Sequence, residues 1–252
     1  MVSPFFDKLF FVYFSTFSSH QYFLNAISTT NYIIFVSNVN LLPFLDIVDW
    51  RKAGIVSAVK DQGHCGSCWA FASTAVIESA VAKASGMLFD LSVQQMAMCA
   101  PNPDKCGGTG NCAGSTAELA FDYVAKSTGM VEEFMYGYGA YYGNVTSCEV
   151  PEGPPKASIG GYEQLPTNEL KPFMNALYTE GPISISVDAS TWHAYHSGIY
   201  DGCDASKPDI DHAVVAGKSK SKIEVSISLY TVGILCDITC IAYNHYTDKY
   251  PL

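Results

Sequence analysis

The segment Val59-Lys60-Asp61-Gln62-Gly63-His64-Cys65-Gly66-Ser67-Cys68-Trp69-Ala70-Phe71 constrains this chain more than any other. Behind Cys68, the residues Trp69, Val76, Ile77, Ala80 and Val81 recur near helical spacing to about Ala84, and Gly86 supplies a stop. A buried helix that begins at Cys68 is therefore predicted. A thiol at that position meets the positive end of the helix macrodipole, which favours thiolate over thiol. Six residues earlier, Gln62 offers a side-chain amide on a glycine-flanked loop. That amide and the Cys68 backbone N–H can converge on a developing oxyanion, which is what acyl transfer needs. The missing element is a base. Asp211-His212-Ala213-Val214-Val215, an imidazole on an apolar strand, supplies one if the strand packs beside the helix start.

The rest of the chain falls into three regions. Residues 1–42 are rich in Phe, Ser, Thr and Asn, with Asp7 and Lys8 as the charges, and neither helical nor strand periodicity is sustained there. From about Pro43 to Gly217 the composition is that of a globular domain, with helix signals ahead of strand signals. Helices are expected over Val93 to Met98 from the box Ser92-x-x-Gln95, over Thr116 to Lys126 from Ser115-x-x-Glu118, and from a Thr167 cap to Tyr178. Pro182 to Val187 and His212 to Ala216 read as strands. After Lys218 the texture changes, and Ile223 to Leu235 reads as a strand pair or an extension foreign to the fold.

Charge and composition exclude several classes. Lys and Arg number 14 against 24 Asp and Glu, a net charge of −10, which argues against nucleic acid as a partner. With 48% apolar and 13% aromatic residues, this is not an acidic disordered tail. No run is long and apolar enough to read as a membrane span, and Leu9 to Phe14 behind Lys8 makes a poor signal peptide. Nine cysteines suggest an oxidising compartment, and the odd count leaves at least one thiol free. Asn144-Val145-Thr146 is a glycosylation sequon in keeping with a secretory route.

Taken with Asp49-Trp50-Arg51, Leu91-Ser92-x-Gln94-Gln95 ahead of Cys99, Gly181-Pro182-Ile183 before Val187-Asp188-Ala189, and Gly198-Ile199-Tyr200, the Cys68 and His212 motifs closely resemble the papain-like cysteine proteases. The resemblance runs from about Pro43 to Gly217. It implies an α+β, two-lobed fold, with a helical lobe over about 50–145, a β-barrel-like lobe over about 150–218, and a cleft between them. It implies peptide or protein substrates, Cys68 as nucleophile, His212 as acid and base, and Gln62 in the oxyanion hole, working through a thiolate–imidazolium pair and an acyl-enzyme. It implies no cofactor and no metal, a monomer, proteinaceous cysteine-protease inhibitors as partners, and a lysosomal, vacuolar or extracellular setting. Disulfides Cys65 to Cys112 and Cys99 to Cys148 follow from the same resemblance. Cys106 has no partner by it, and Cys203 is half of a bridge to which Cys236 and Cys240 are poor matches. Substrate contacts are expected at Gly66, at Gly114-Ser115 (where the family has a glycine pair), and at a second subsite lined by Val187, Ala189, Asp211 and Ala213.

Two departures stand beside it. The family's Asn-Ser-Trp-Gly, which orients and shields the histidine, has no counterpart, and Asn244, followed by His245-Tyr246, is not given that role. Residues 1–42 lack the charged helical pattern of the family's propeptide. Gly217-Lys218 can be encoded across a splice donor, so the tail over 219–252 is expected to be translated intron. Three other readings are kept in view. One is a catalytically impaired homologue that binds peptides. A thiol–disulfide oxidoreductase using Cys65 and Cys68 is the second, although Trp69 follows rather than precedes the pair. The third is a zinc site on Cys99, Cys106 and Cys112, whose spacing lacks paired C-x-x-C units. His193 and His196 read as surface residues, and Trp50 and Trp192 as packing residues, Trp192 at the cleft rim.

Overall fold

The computed structural model describes residues 9–13, 48–167, 169–196, 199–200, 209–219, 225–228 and 235–238; for 9–13, 199–200, 225–228 and 235–238 it describes the backbone alone. Gly198, Cys203, Cys240 and Asn244 lie outside the described residues, as do most of 1–42 and of 219–252, and no side-chain statement attaches to Cys236.

Helix α1 spans Cys68–Ser85 and is buried around almost its whole girth. Apolar residues alone cannot explain that, since Ser73 and Ser79 are also interior; their hydroxyls donate to Trp69 O (2.7 Å) and Ala75 O (2.9 Å) on their own helix. Gly86, at φ 76°, adopts the left-handed turn that ends the helix. Helix α2 is Val93–Cys99, and Ser92 caps it by accepting from Gln95 N (3.0 Å). The reciprocal half of that box does not form. The Gln95 amide donates instead to Tyr123 Oη and Gly129 O and accepts from Val131 N. Helix α3, Ala117–Lys126, has Thr116 at its cap without a side-chain bond, and the Ser115 hydroxyl is buried with no partner, so the box predicted at Ser115 is absent. Helix α4, Leu170–Thr179, begins three residues after the predicted cap. Pro172 falls in its first turn, where a missing N–H is tolerated.

The strands are β1 Leu9–Tyr13, β2 Val48–Asp49, β3 Gly161–Leu165, β4 Ile183–Val187, β5 Ile199–Tyr200, β6 His212–Ser219, β7 Val225–Ser228 and β8 Leu235–Ile238. They form a sheet ordered β3-β1-β4-β6-β7-β8-β5, with β2 beside β6. Strand β1 lies within residues 1–42, where no strand periodicity is sustained. It pairs antiparallel with β3 from Leu9↔Leu165 to Tyr13↔Gly161, and with β4 at Leu9↔Ile185 and Phe10↔Ser184. Leu-Phe-Phe-Val-Tyr is an unbroken run of strand-forming residues, and such a run carries no alternation for a period search to find.

Two apolar clusters meet across β6. Ala213 and Val215 belong to the cluster built on α1, α2 and α3, whereas Val214 and Ala216 belong to the one built on α4 and β4. Successive residues of a strand point to opposite faces, so one strand serves both cores. Trp50 donates its Nε1–H to Leu177 O (2.7 Å) and so ties the segment after β2 to α4.

Candidate active site

Cys68 is the first residue of α1, and the loop ahead of it is closely braced. The structure joins Cys65 to Cys112 and Cys99 to Cys148. Cys65 is therefore not bonded to Cys68, and two of the three thiols required by the zinc reading are consumed. Gly66 N donates to Cys112 O (3.0 Å), and a Cβ at Gly66 would lie 2.6 Å from that same oxygen, so only glycine fits this approach. Ser67 is buried, and its hydroxyl meets Tyr138 Oη (2.7 Å), which donates on to Gln62 O (3.0 Å).

The Gln62 amide donates one N–H to Cys65 O (2.9 Å), while its Oε1 is buried without a partner. Its loop is anchored from beneath by Glu78 of α1, whose side chain is 0% exposed. Glu78 accepts from Lys60 Nζ (2.8 Å), Leu91 N (2.8 Å) and the Ser57 hydroxyl, and Lys60 also pairs with Asp90. Burial pushes the Glu78 carboxyl up, and those donors oppose it.

His212 opens β6 opposite Val187 of β4. Its parity along the strand is that of Val214, and its imidazole meets the Trp192 ring edge-on, centroids 6.0 Å apart. The backbone N–H of Ala213, the next residue, faces the Cys68 sulfur together with that of Trp69. The helix start and the strand start thus converge. Burial pushes the Cys68 thiol up, aided by the Asp211 carboxylate, and those two N–H groups oppose it. Burial likewise pushes His212 down, and Asp211 opposes that. Each group alone is thereby biased to its neutral form.

The remaining predicted residues are dispersed around this centre. Gly66 and Asp211 are exposed, Gly114, Ser115 and Ala189 are half-buried, and Ala213 is buried beside Cys68. Val187 lies inside the second apolar cluster at 1% exposure, which leaves Ala189 and Asp211 as the accessible members of the expected second subsite. Asn144 is exposed, as are His193 and His196. Sequence reasoning missed Glu78, Tyr138 and the contact of Trp192 with His212. The lone Glu in the apolar stretch of α1 was the available signal for the first. A cavity of about 250 Å³ lies between Gln95, Tyr123 and the 150–155 segment, and no residue of the Cys68 site lines it. Among the described residues no helix is long and apolar enough to cross a membrane.

A helical core and a sheet core that share one strand, with a cysteine at a helix tip beside the start of that strand, define a papain-like α+β architecture. Residues 45–223 match the model of the papain family cysteine proteases, and the chain belongs to that family. It is 38% identical to cathepsin L1 of Drosophila melanogaster over 67% of its own length and 44% of the relative's. For cathepsin K of Gallus gallus the identity is 36%, over 67% and 48%. The chain thus spans about half the length of these curated relatives. Among solved structures, a bromelain protease from Ananas comosus in complex with the inhibitor E-64 superposes with a TM-score of 0.62 at 32% identity, covering 72% of this chain and 81% of that one. Digestive procathepsin L 3 of Tenebrio molitor gives 0.65 at 28%, covering 76% and 61%.

Proposed function

We propose that this chain is a cysteine endopeptidase that cleaves peptide bonds through Cys68 and His212, and one observation carries the reading: the Cys68 sulfur faces the backbone N–H that directly follows His212. The Cys68 thiolate attacks the carbonyl carbon of the scissile bond. The Gln62 amide N–H that Cys65 O does not use, with the Cys68 backbone N–H, receives the oxyanion. The imidazolium of His212 gives its proton to the leaving amine, and a thioester on Cys68 remains. Water then attacks the thioester as His212 takes its proton, which releases the acid and restores the pair. Because burial disfavours each charge singly, thiolate and imidazolium form together, as one pair with macroscopic pKa values.

The sign of the two shifts makes this testable. Were each group to titrate alone, thiolate would appear only above the ordinary thiol range, and alkylation would climb steadily toward alkaline pH. A coupled pair gives a plateau of iodoacetamide reactivity at Cys68 across neutrality instead, read at that residue by peptide mass spectrometry because Cys106 is also a free, exposed thiol; Cys68→Ala removes the plateau and His212→Ala converts it to the steady climb. Labelling by E-64 should follow the same pattern. A steady climb in the unaltered chain supports the second reading, a catalytically impaired homologue, which is favoured by burial acting against both charged forms.

For Gln62 the expected result is kinetic. Gln62→Ala lowers kcat about 10²- to 10³-fold on a fluorogenic peptide, the effect of deleting one oxyanion donor. The alkylation plateau of Cys68 should persist in that variant, since no oxyanion forms in that reaction.

A further inference from the structure

Trp192 lies in a 3-10 turn, Trp192–Ala194, shortly after β4. It is 6% exposed, and its ring stands at 83° to the His212 imidazole. The turn is closed by Trp192 N to Ala189 O (3.0 Å) and Tyr195 N to Trp192 O (2.9 Å). The residues between β4 and this turn are also stitched to those just ahead of His212. Ala189 N donates to Asp211 Oδ1 (2.8 Å), Asp211 N to Val187 O (3.2 Å), and Asp209 N to Asp188 Oδ2 (3.0 Å). Ser190 closes the other side of the Asp188 carboxylate through its N–H (3.0 Å) and its hydroxyl (2.6 Å). Indole and imidazole are thus held in register by bonds that belong to neither ring.

The indole Nε1–H is buried with no hydrogen-bond partner among the described residues. An orphaned buried donor is unfavourable, so the site retains this ring for its apolar contact rather than for its N–H. An imidazole at the end of a strand turns about its side-chain bonds unless its neighbours restrain it. A T-shaped neighbour restricts that rotation and excludes water from one side of the ring. We infer that Trp192 is a positioning residue that holds the His212 imidazole in the orientation facing Cys68. The inference rests on the reading of His212 as the acid and base of the site. Among the groups near the imidazole are Asp211, from its own strand end, and Trp192, from this turn.

The test compares Trp192→Leu, which fills the core without an aromatic edge, with Trp192→Phe, which restores one. It is run on the full chain with His212→Ala as reference, and near-ultraviolet circular dichroism checks folding. The readouts are the height of the alkylation plateau of Cys68 and the imidazole proton resonances of His212. With positioning by the ring edge, Trp192→Leu lowers the plateau tenfold or more while Trp192→Phe stays within about threefold of the unaltered chain. A plateau unchanged in Trp192→Leu overturns the inference and leaves the Cys68–His212 reading standing. Equal losses in both variants also overturn it, because packing volume rather than a ring edge would then be at issue. If His212→Ala alkylates like the unaltered chain, the catalytic reading itself fails. Should Trp192→Leu not fold, the resonances decide: His212 ring protons displaced by the indole ring current in the unaltered chain support the contact, and random-coil positions overturn it.

Discussion

Glu78→Ala is expected to destabilise the protein by about 3–5 kcal/mol, read as a lower denaturant midpoint in urea unfolding. The magnitude follows from what is left behind rather than from what is removed. With Glu78 gone, Lys60 keeps a half-buried ammonium whose remaining carboxylate, Asp90, is itself largely exposed. Leu91 N, buried and bonded to Glu78, becomes an orphan donor. Lys60 is held above its ordinary value by Glu78 and Asp90 against the effect of burial. A raised lysine stabilises the fold fully below its unfolded value and ceases to do so as pH rises through the folded one. The unaltered chain should therefore weaken at strongly alkaline pH, and Glu78→Ala should flatten that limb. Because Lys60 is two residues from Gln62, the same variant also loosens the loop that carries Gln62. Restoring volume with Glu78→Gln should recover only part of the stability, since an amide cannot pair with the ammonium.

Removing the Cys65–Cys112 bridge by paired alanines is expected to cost about 4 kcal/mol on the chain-entropy estimate, for a loop of 47 residues. Thermal melting of the double variant against the unaltered chain measures it. The bond joins the loop before Cys68 to the Gly108–Gly114 segment, which also approaches Gly66 through Cys112 O. A fall in stability should be accompanied by slower Cys68 alkylation. If the bridge acted on the unfolded chain alone, melting would shift and the alkylation of the folded protein would not.

The helical half was largely legible because its signals are local. The apolar spacing after Cys68 and the left-handed glycine at 86 place both ends of α1 to within a residue. The box at Ser115 was misread because a capping box is two bonds and sequence shows only that the residue types are present, while the helix expected from a Thr167 cap starts at Leu170 behind Glu169. Gln95 has three interior partners that outcompete the reciprocal bond. The chemical groups of the candidate site stand out in the sequence, whereas their supports do not. Cys68, His212 and Gln62 announce themselves by residue type beside a helix start or on an apolar strand. Tyr138 and Trp192 are ordinary aromatics until the fold brings them from about 75 and 20 residues away to Gln62 and His212. Strand β1 was illegible for a different reason, since its pairing partners lie in a remote part of the chain.

That remoteness governs the order of assembly. During synthesis Leu9–Tyr13 emerges about 150 residues ahead of β3, which at 5–20 residues per second is a wait of roughly 8–30 s. The bracketing strand β4 arrives later still. For that interval an apolar strand has neither neighbour to pair with, and the sheet that carries His212 cannot close around it until both are made. Helix α1, whose contacts with α2 and α3 are more local, is free to form first. The nascent chain therefore completes the helix that opens at Cys68 well before the strand that opens at His212 has a finished sheet to belong to.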